Sequence, residues 1–226
     1  MLLGQKVNPR VARMRTLPEG VDQRSASRHP DWTGPDDLVI KIKELREITD
    51  WEKPIYVKVG ATRVFNDVKL AVHAGADVVV VDGMQGGTAA TQTVFIEHVG
   101  IPTLAALRQA VDALDDLNMR GTVQLVISGG IRSGADVAKA LAMGADAVAI
   151  GQGVLVALGC NSDSYVVGGK HLSALEDYAR LGTAPGFCHH CHTGKCPGGV
   201  TTQDAELELR LEPAGGAKRL KNYLKT

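Results

Sequence analysis

Between residues 36 and 159, short apolar runs of strand character alternate strictly with amphipathic helical stretches, and that alternation leaves few folds open. ADVVVVDG (76–83) is unbroken apolar sequence of the kind that forms a strand buried on both faces. PIYVKVG (54–60), TVQLVIS (122–128) and ADAVAIGQG (145–153) add three more, placing strands near 55–59, 77–81, 122–127 and 146–150. Helical spacing fills the gaps. DDLVIKIKELREITD (36–50) spaces Leu38, Ile40, Ile42, Leu45 and Ile48; RVFNDVKLAVHAG (63–75), IPTLAALRQAVDALDDLNM (101–119) and GADVAKALAMG (134–144) follow; VLVALG (154–159) starts another helix. AVHAGADVVVVDG from Ala71 is echoed by ALAMGADAVAIGQG from Ala140, about two βα units later.

Such alternation predicts a parallel sheet with helices outside it. Gly60, Gly83, Gly129 and Gly151 follow the strand ends, the edge where parallel α/β folds bind ligands. Four strands are half of what a TIM barrel needs, and residues 161–226 offer no buried strand to supply the rest. The expectation is therefore the C-terminal half of a (β/α)8 TIM barrel, four parallel βα units, followed by a cysteine-rich cluster-binding segment. The other half would come from a missing N-terminal sequence or a partner chain, with a small open α/β sheet as the alternative. Residues 1–35 read as an extended lead-in without a convincing strand, 36–159 as the half barrel, 160–200 as the cluster segment and 201–226 as a tail. With 25 Lys+Arg against 25 Asp+Glu, the chain lacks the basic surplus of a nucleic-acid binder. No apolar run approaches the ~20 residues of a membrane span. MLLGQKVNPRVARMR lacks the apolar core of a secretory signal, so the expected partners include no membrane and the expected location is cytoplasmic.

Two consecutive strand-to-helix turns are rich in glycine. In SGGIRSGADV (128–137), Ser128, Gly129 and Gly130 precede a helix; in AIGQG (149–153), Gly151 and Gln152 do the same. Glycine lets backbone N–H groups approach a phosphate, and a helix N-terminus favours the anion, so the pair predicts a phosphate site. The alternative is glycine serving tight turns only. DGMQGGTAATQT (82–93) is a third loop at this edge: Gly86 and Gly87 would let backbone lie against a flat ligand, and Thr88 offers a hydroxyl. In β-alternation, Ile55, Val57 and Val59 share one face and Tyr56 and Lys58 the other. Lys58 would then point into the barrel near its rim, facing an anion or an electron-rich ring such as reduced flavin, unless it extends to solvent.

CHHCHTGKCPGG (188–199) places Cys188, Cys191 and Cys196 within nine positions, with Cys160 upstream. Clustered thiols without a secretory signal point to a metal site rather than disulfides. Cys-x2-Cys-x4-Cys-Pro suits an iron–sulfur cluster, while His189, His190 and His192 keep zinc open.

Taken together, YVKVG with Lys58, the DGMQGGTAA loop, SGGIRSGADVAKAL, GADAVAIGQGVLVALGC and CHTGKCPGGVTTQD resemble the FMN-binding synthase domain of glutamate synthase, in that family's order. LLGQKVNPRVARMR resembles the loop before the fifth barrel strand, so the likeness runs from about residue 3 to 210. It implies a barrel with FMN at its C-terminal rim beside an iron–sulfur cluster, usually [3Fe–4S]. The activity implied is oxidoreductase chemistry at C–N bonds: 2-oxoglutarate and ammonia give 2-iminoglutarate, which the flavin reduces to glutamate. Carried over, Lys58 is the catalytic residue facing the flavin, Gly129, Gly130, Gly151 and Gln152 hold the FMN phosphate, and Cys160, Cys191 and Cys196 ligate the cluster.

Three features depart from the family. Asn161–Phe187 is inserted between the first and later cysteines. Cys188 is extra, so a fourth ligand and [4Fe–4S] stay open, although three ligands are favoured. No glutaminase domain is expected, so ammonia would come from solution or a glutaminase-like subunit, and electrons from a donor subunit. These features also resemble stand-alone subunits that make or oxidise N-methylglutamate. A reading of another class is a non-catalytic electron-relay or assembly subunit. A type II isopentenyl diphosphate isomerase-like barrel would have no use for the cysteines.

Overall fold

β-branched residues favour extended backbone, and the apolar runs after residues 75 and 144 each begin just beyond a helix that ends on glycine. The computed structural model describes residues 1–24, 26, 28–87 and 91–225. Strands β1 (Tyr56–Gly60), β2 (Val78–Asp82), β3 (Gln124–Ser128) and β4 (Ala147–Ala149) form one parallel sheet in the order β1-β2-β3-β4. Helices α1 (Pro9–Arg15) and α2 (Pro35–Ile48) precede it. α3 (Val64–His73), the pair α4 (Thr93–His98) and α5 (Thr103–Asp116), and α6 (Gly134–Ala142) make the three crossovers, and α7 (Gln152–Leu158) follows β4. An antiparallel hairpin of β5 (Ser164–Val167) and β6 (Lys170–Ser173) comes next, then α8 (Leu175–Arg180), α9 (Ala205–Glu208) and α10 (Pro213–Tyr223).

The chain divides into two compact units. One comprises Ala26–Gly86 and Ile96–Gly151, and holds the sheet. The other comprises Met1–Ser25, Gly87–Phe95 and Gln152–Thr226, so the lead-in and the cysteine segment belong together.

In the sheet unit the register sorts side chains by face. Val57, Val79, Val81, Leu125 and Ile127 form the core with α3 and α5. α5 turns Ala106, Ala110 and Ala113 inward, all fully buried, and these small side chains let it lie close to its neighbours. The opposite face differs. Tyr56, Lys58, Gln124, Ala147 and Ala149 are exposed, and Val80 and Val126 only half-buried. A closed barrel turns this face to its interior.

The echoed Gly-Ala-Asp motif has one job in both copies. Asp77 Oδ2 accepts the Ile55 N–H at 2.6 Å, and Asp146 Oδ2 accepts the Leu125 N–H at 2.7 Å, each tying down the start of a neighbouring strand. Burial works to raise the Asp77 pKa, but the Ile55 N–H and the Arg46 guanidinium, 3.0 Å away, outweigh it and hold the carboxyl below its ordinary value. A carboxylate depressed in the folded state contributes stability above its unfolded pKa, about 3.9, and loses it as pH falls through the folded value. Asp77→Asn should therefore cost about 1 kcal/mol at neutral pH and flatten the acid side of the stability profile, as read from urea midpoints between about pH 7 and pH 3. An unchanged profile would show that the strand tie carries no weight.

Three local expectations change. The lead-in is not wholly extended: Asn8 accepts the Val11 N–H at 2.9 Å and Pro9 opens α1. HLSALEDYARLG (171–182) reads as a helical stretch in the sequence but is not one helix, because Leu172 pairs with Tyr165 across the hairpin and α8 starts only at Leu175. α2 buries only Ile42 fully, while Ile40 and Ile48 face outward, Ile48 at 78% exposure.

Candidate functional site

Parallel strands ending level bring their last residues to one rim. Lys58 Nζ lies 2.9 Å from Asp82 Oδ2, and Asp82 Oδ1 accepts the Ser128 hydroxyl at 2.8 Å, so a polar row crosses β1, β2 and β3. Lys58 is more than half exposed on the open face. Asp82 is missing from the sequence-based set. Its only signal is an acid ending an all-valine strand, and the register that brings it to Lys58 is tertiary.

The rim glycines separate into two kinds. A Cβ on Gly83 would come within 1.9 Å of Thr103 Oγ1 and 2.6 Å of Thr103 Cα. Gly129 (φ +108°) would meet Gly83 O at 2.9 Å, and Gly130 (φ +73°) would meet Gln85 Cβ at 2.9 Å. Thr103, 2% exposed, fastens this corner: its N–H reaches Gln85 Oε1 at 2.8 Å, and its hydroxyl lies 2.7 Å from the same oxygen and 2.8 Å from Gly129 O. These glycines are required by packing or left-handed backbone whether or not a phosphate binds. Gly86 is similar, since its Cβ would approach Asp82 Oδ1 at 2.6 Å. Gly60 and Gly151 are the second kind. At neither would a Cβ meet anything within 4 Å among the described residues, nor is φ positive. Packing gives no reason for glycine at these two positions, whereas close approach of a ligand does.

Two N–H groups at the start of α6 are already satisfied internally: Arg132 and Ser133 both donate to Asp136 Oδ2 at 3.1 Å. These bonds hold the Asp136 carboxyl below its ordinary value. An anion here would thus rely on the glycine backbone more than on that helix terminus. Gly151 immediately precedes Gln152, the first residue of α7. Gly87 has a left-handed backbone (φ +91°), and Thr88 lies outside the described residues.

The other unit holds all four cysteines, none in a disulfide. The backbone brings their segments together: a Cβ on Gly198 would meet Gly159 O at 2.7 Å, which sets the Cys196-Pro197-Gly198 turn against the residue before Cys160. Burial raises the Cys160 thiol pKa; Asn161 partly offsets this, and Cys196, Cys191 and Cys188 raise it further, so the four thiols share one electrostatic neighbourhood. The lead-in braces the same loop. Lys6 Nζ donates to Cys191 O at 2.7 Å, Gln5 Nε2 to Thr193 O at 2.9 Å and Leu3 N to His192 O at 3.2 Å. Among the described residues, no three of His, Cys, Asp and Glu already converge as ligands of a single ion. His190 Nε2, His192 Nδ1 and Thr201 Oγ1 are buried without a hydrogen-bond partner among those residues. Four free thiols beside unsatisfied buried polar atoms fit a group that brings its own acceptor atoms, as the sulfides of an iron–sulfur cluster do.

A parallel sheet with a charged rim and glycine turns defines an α/β protein of the kind that binds ligand at the C-terminal strand edge. The chain belongs to the glutamate synthase family: the family described as "Conserved region in glutamate synthase" matches residues 1–166 and 181–226. It is 66% identical to a glutamate synthase large subunit-like protein of Rhizobium meliloti (strain 1021), over 100% of this chain and 49% of that protein. It is 39% identical to an archaeal glutamate synthase [NADPH] of Methanocaldococcus jannaschii, over 99% of this chain and 39% of that protein. A ferredoxin-dependent glutamate synthase of Cyanidium caldarium is 31% identical, over 98% of this chain and 13% of its own length. The chain thus spans about half, or less, of the curated relatives it matches. No helix among the described residues is long and apolar enough to cross a membrane.

Proposed function

We propose that this chain forms the flavin-rim half of a glutamate-synthase-type oxidoreductase that reductively aminates 2-oxoglutarate to glutamate. The observation that carries the reading is the Lys58–Asp82–Ser128 row beside sterically unneeded glycines on an open sheet face, in a chain of this family. When bound, FMN supplies the hydride and the iron–sulfur cluster relays single electrons to it. The protein's part is binding and electrostatics. Lys58 presents positive charge to an electron-rich ring, and Asp82, steadied by Ser128, fixes the position of its ammonium. Gly60 leaves room above β1 for a flat group. Gly129, Gly130 and Gly151 offer backbone N–H groups to the phosphate, joined by Gln152. Cys160, Cys191 and Cys196 hold the cluster.

Further polypeptide completes the sheet. β1 and β4 each have a free edge among the described residues, the half-buried valines of the open face need a covering layer, and Ile40 and Ile48 of α2 lie bare. It comes from the rest of the same protein or from a partner chain. The amine is ammonia in the glutamate synthase reading and methylamine in the N-methylglutamate reading.

Gly151→Val gives the direct test, because no atom of the described residues lies within 4 Å of the added Cβ. In the assembly that contains this chain, we expect unchanged thermal stability, FMN content down at least about tenfold, and a matching loss of glutamate formation from 2-oxoglutarate and ammonia, assayed in parallel with methylamine. Full FMN content in the folded variant would remove Gly151 from the site. Activity with neither amine in the flavin-loaded wild type would favour the relay reading.

A further inference from the structure

We propose that Cys188 is a fourth thiolate ligand of the cluster, delivered by the folded segment Asn161–Phe187. This rests on the reading that Cys160, Cys191 and Cys196 hold an iron–sulfur cluster, and adds to it.

The segment is a built structure whose ends are clipped together. Asn161 follows Cys160 directly and takes left-handed backbone (φ +62°), a conformation that asparagine tolerates better than most residues. Its carboxamide oxygen accepts the Gly186 N–H at 3.0 Å and the Cys188 N–H at 2.9 Å. The nitrogen of the same carboxamide lies 3.5 Å from Cys160 Sγ. One side chain therefore spans the first cysteine and the return of the chain, and fixes the backbone of Cys188 beside it.

The rest of the segment is held just as firmly. Tyr178 of α8 is 1% exposed and donates its hydroxyl to Ser162 O at 3.0 Å. Ala174 N donates to Asp163 O at 2.8 Å, closing the base of the hairpin. Arg210 Nη1 holds Asp177 at 2.7 Å and Pro197 O at 2.8 Å, and its guanidinium stacks 4.1 Å from the Tyr165 ring. Through Arg210 the hairpin and α8 are fastened to the residue after Cys196. Residues 167–180, which the family match leaves out, thus belong to a brace around the cysteines and not to a loose loop. Cys188 is half-buried, unpaired in any disulfide, and separated from Cys191 by two residues.

A fourth thiolate changes the cluster. Three ligands leave one corner of the cube without protein support, which suits [3Fe–4S]; four retain the fourth iron as [4Fe–4S].

The test uses the native assembly and three readouts: iron, acid-labile sulfide and EPR in oxidised and reduced states. We expect about four irons and about four sulfides per chain in the wild type, with a signal that appears on reduction. Cys188→Ser should fall to about three irons and show its signal in the oxidised state. Asn161→Ala should move partway in the same direction, and should raise the alkylation rate of Cys188 in metal-free protein. Asn161→Asp keeps the acceptor for both N–H groups but replaces the donor facing Cys160 Sγ with a carboxylate oxygen, so it should leave the Cys188 alkylation rate in metal-free protein near the wild-type value. A wild type with about three irons, unchanged by Cys188→Ser, overturns the fourth ligand and leaves the three-cysteine reading standing. A wild type with zinc and no sulfide, or a Cys160→Ser variant with an intact cluster, overturns that underlying reading as well.

Discussion

Gly83→Ala should destabilise the sheet unit by about 3 kcal/mol or more, the largest stability effect expected of any single methyl group at the rim. The added Cβ would stand 1.9 Å from Thr103 Oγ1 and 2.6 Å from Thr103 Cα. A flexible side-chain tip could swing away, but a backbone atom of a buried helix start cannot. Thr103 opens α5, whose Ala106, Leu107, Ala110, Val111, Ala113 and Leu114 are all core residues. Moving Thr103 aside would also break its hold on Gln85 and Gly129, so the turn proposed for the phosphate would shift too. Chemical denaturation would read the effect, with Gly151→Ala as a control expected to lie within about 0.5 kcal/mol of wild type. Similar stability for the two alanine variants would mean that the strand-end corner is far looser than its geometry implies.

The second large effect is catalytic. Lys58→Met should lower kcat for glutamate formation by about 100-fold while FMN content stays near the wild-type level. Methionine keeps the length of the side chain and removes the charge that would face the electron-rich ring. The backbone proposed to bind the phosphate, at Gly129, Gly130 and Gly151, is untouched, so retention of the flavin separates loss of charge from loss of binding. Asp82→Asn should produce a smaller fall, because it frees the Lys58 ammonium from its 2.9 Å partner without removing it. An unchanged kcat in Lys58→Met would make Lys58 an ordinary strand-end lysine that extends to solvent.

Much of the sheet unit was legible in the sequence because its signals are local. Four apolar runs separated by helical periodicity specify four strands within a residue or two, and a parallel order follows from the crossovers. The same reasoning gave Lys58 its face, since alternation along Ile55–Val59 is a property of the strand alone. What stayed hidden depends on partners distant in sequence. Asp82 becomes interesting only when register sets it against Lys58, and Thr103 only when α5 returns beneath Gly83. The glycine turns looked alike as sequence, whereas the structure separates Gly83, Gly129 and Gly130, which geometry compels, from Gly60 and Gly151, which it does not. In the other unit, Leu172 sits in a helical-looking stretch but pairs with Tyr165 because a partner strand lies beside it. Asn161 carried no motif at all, and its role follows only from where Gly186 and Cys188 return.

The cofactors themselves give the most direct test. FMN, iron, zinc and acid-labile sulfide should be measured together in the purified assembly containing this chain, without reconstitution. About one FMN per chain is expected, with iron and sulfide in nearly equal amounts and little zinc. Zinc without sulfide, together with no flavin, would contradict the proposed function.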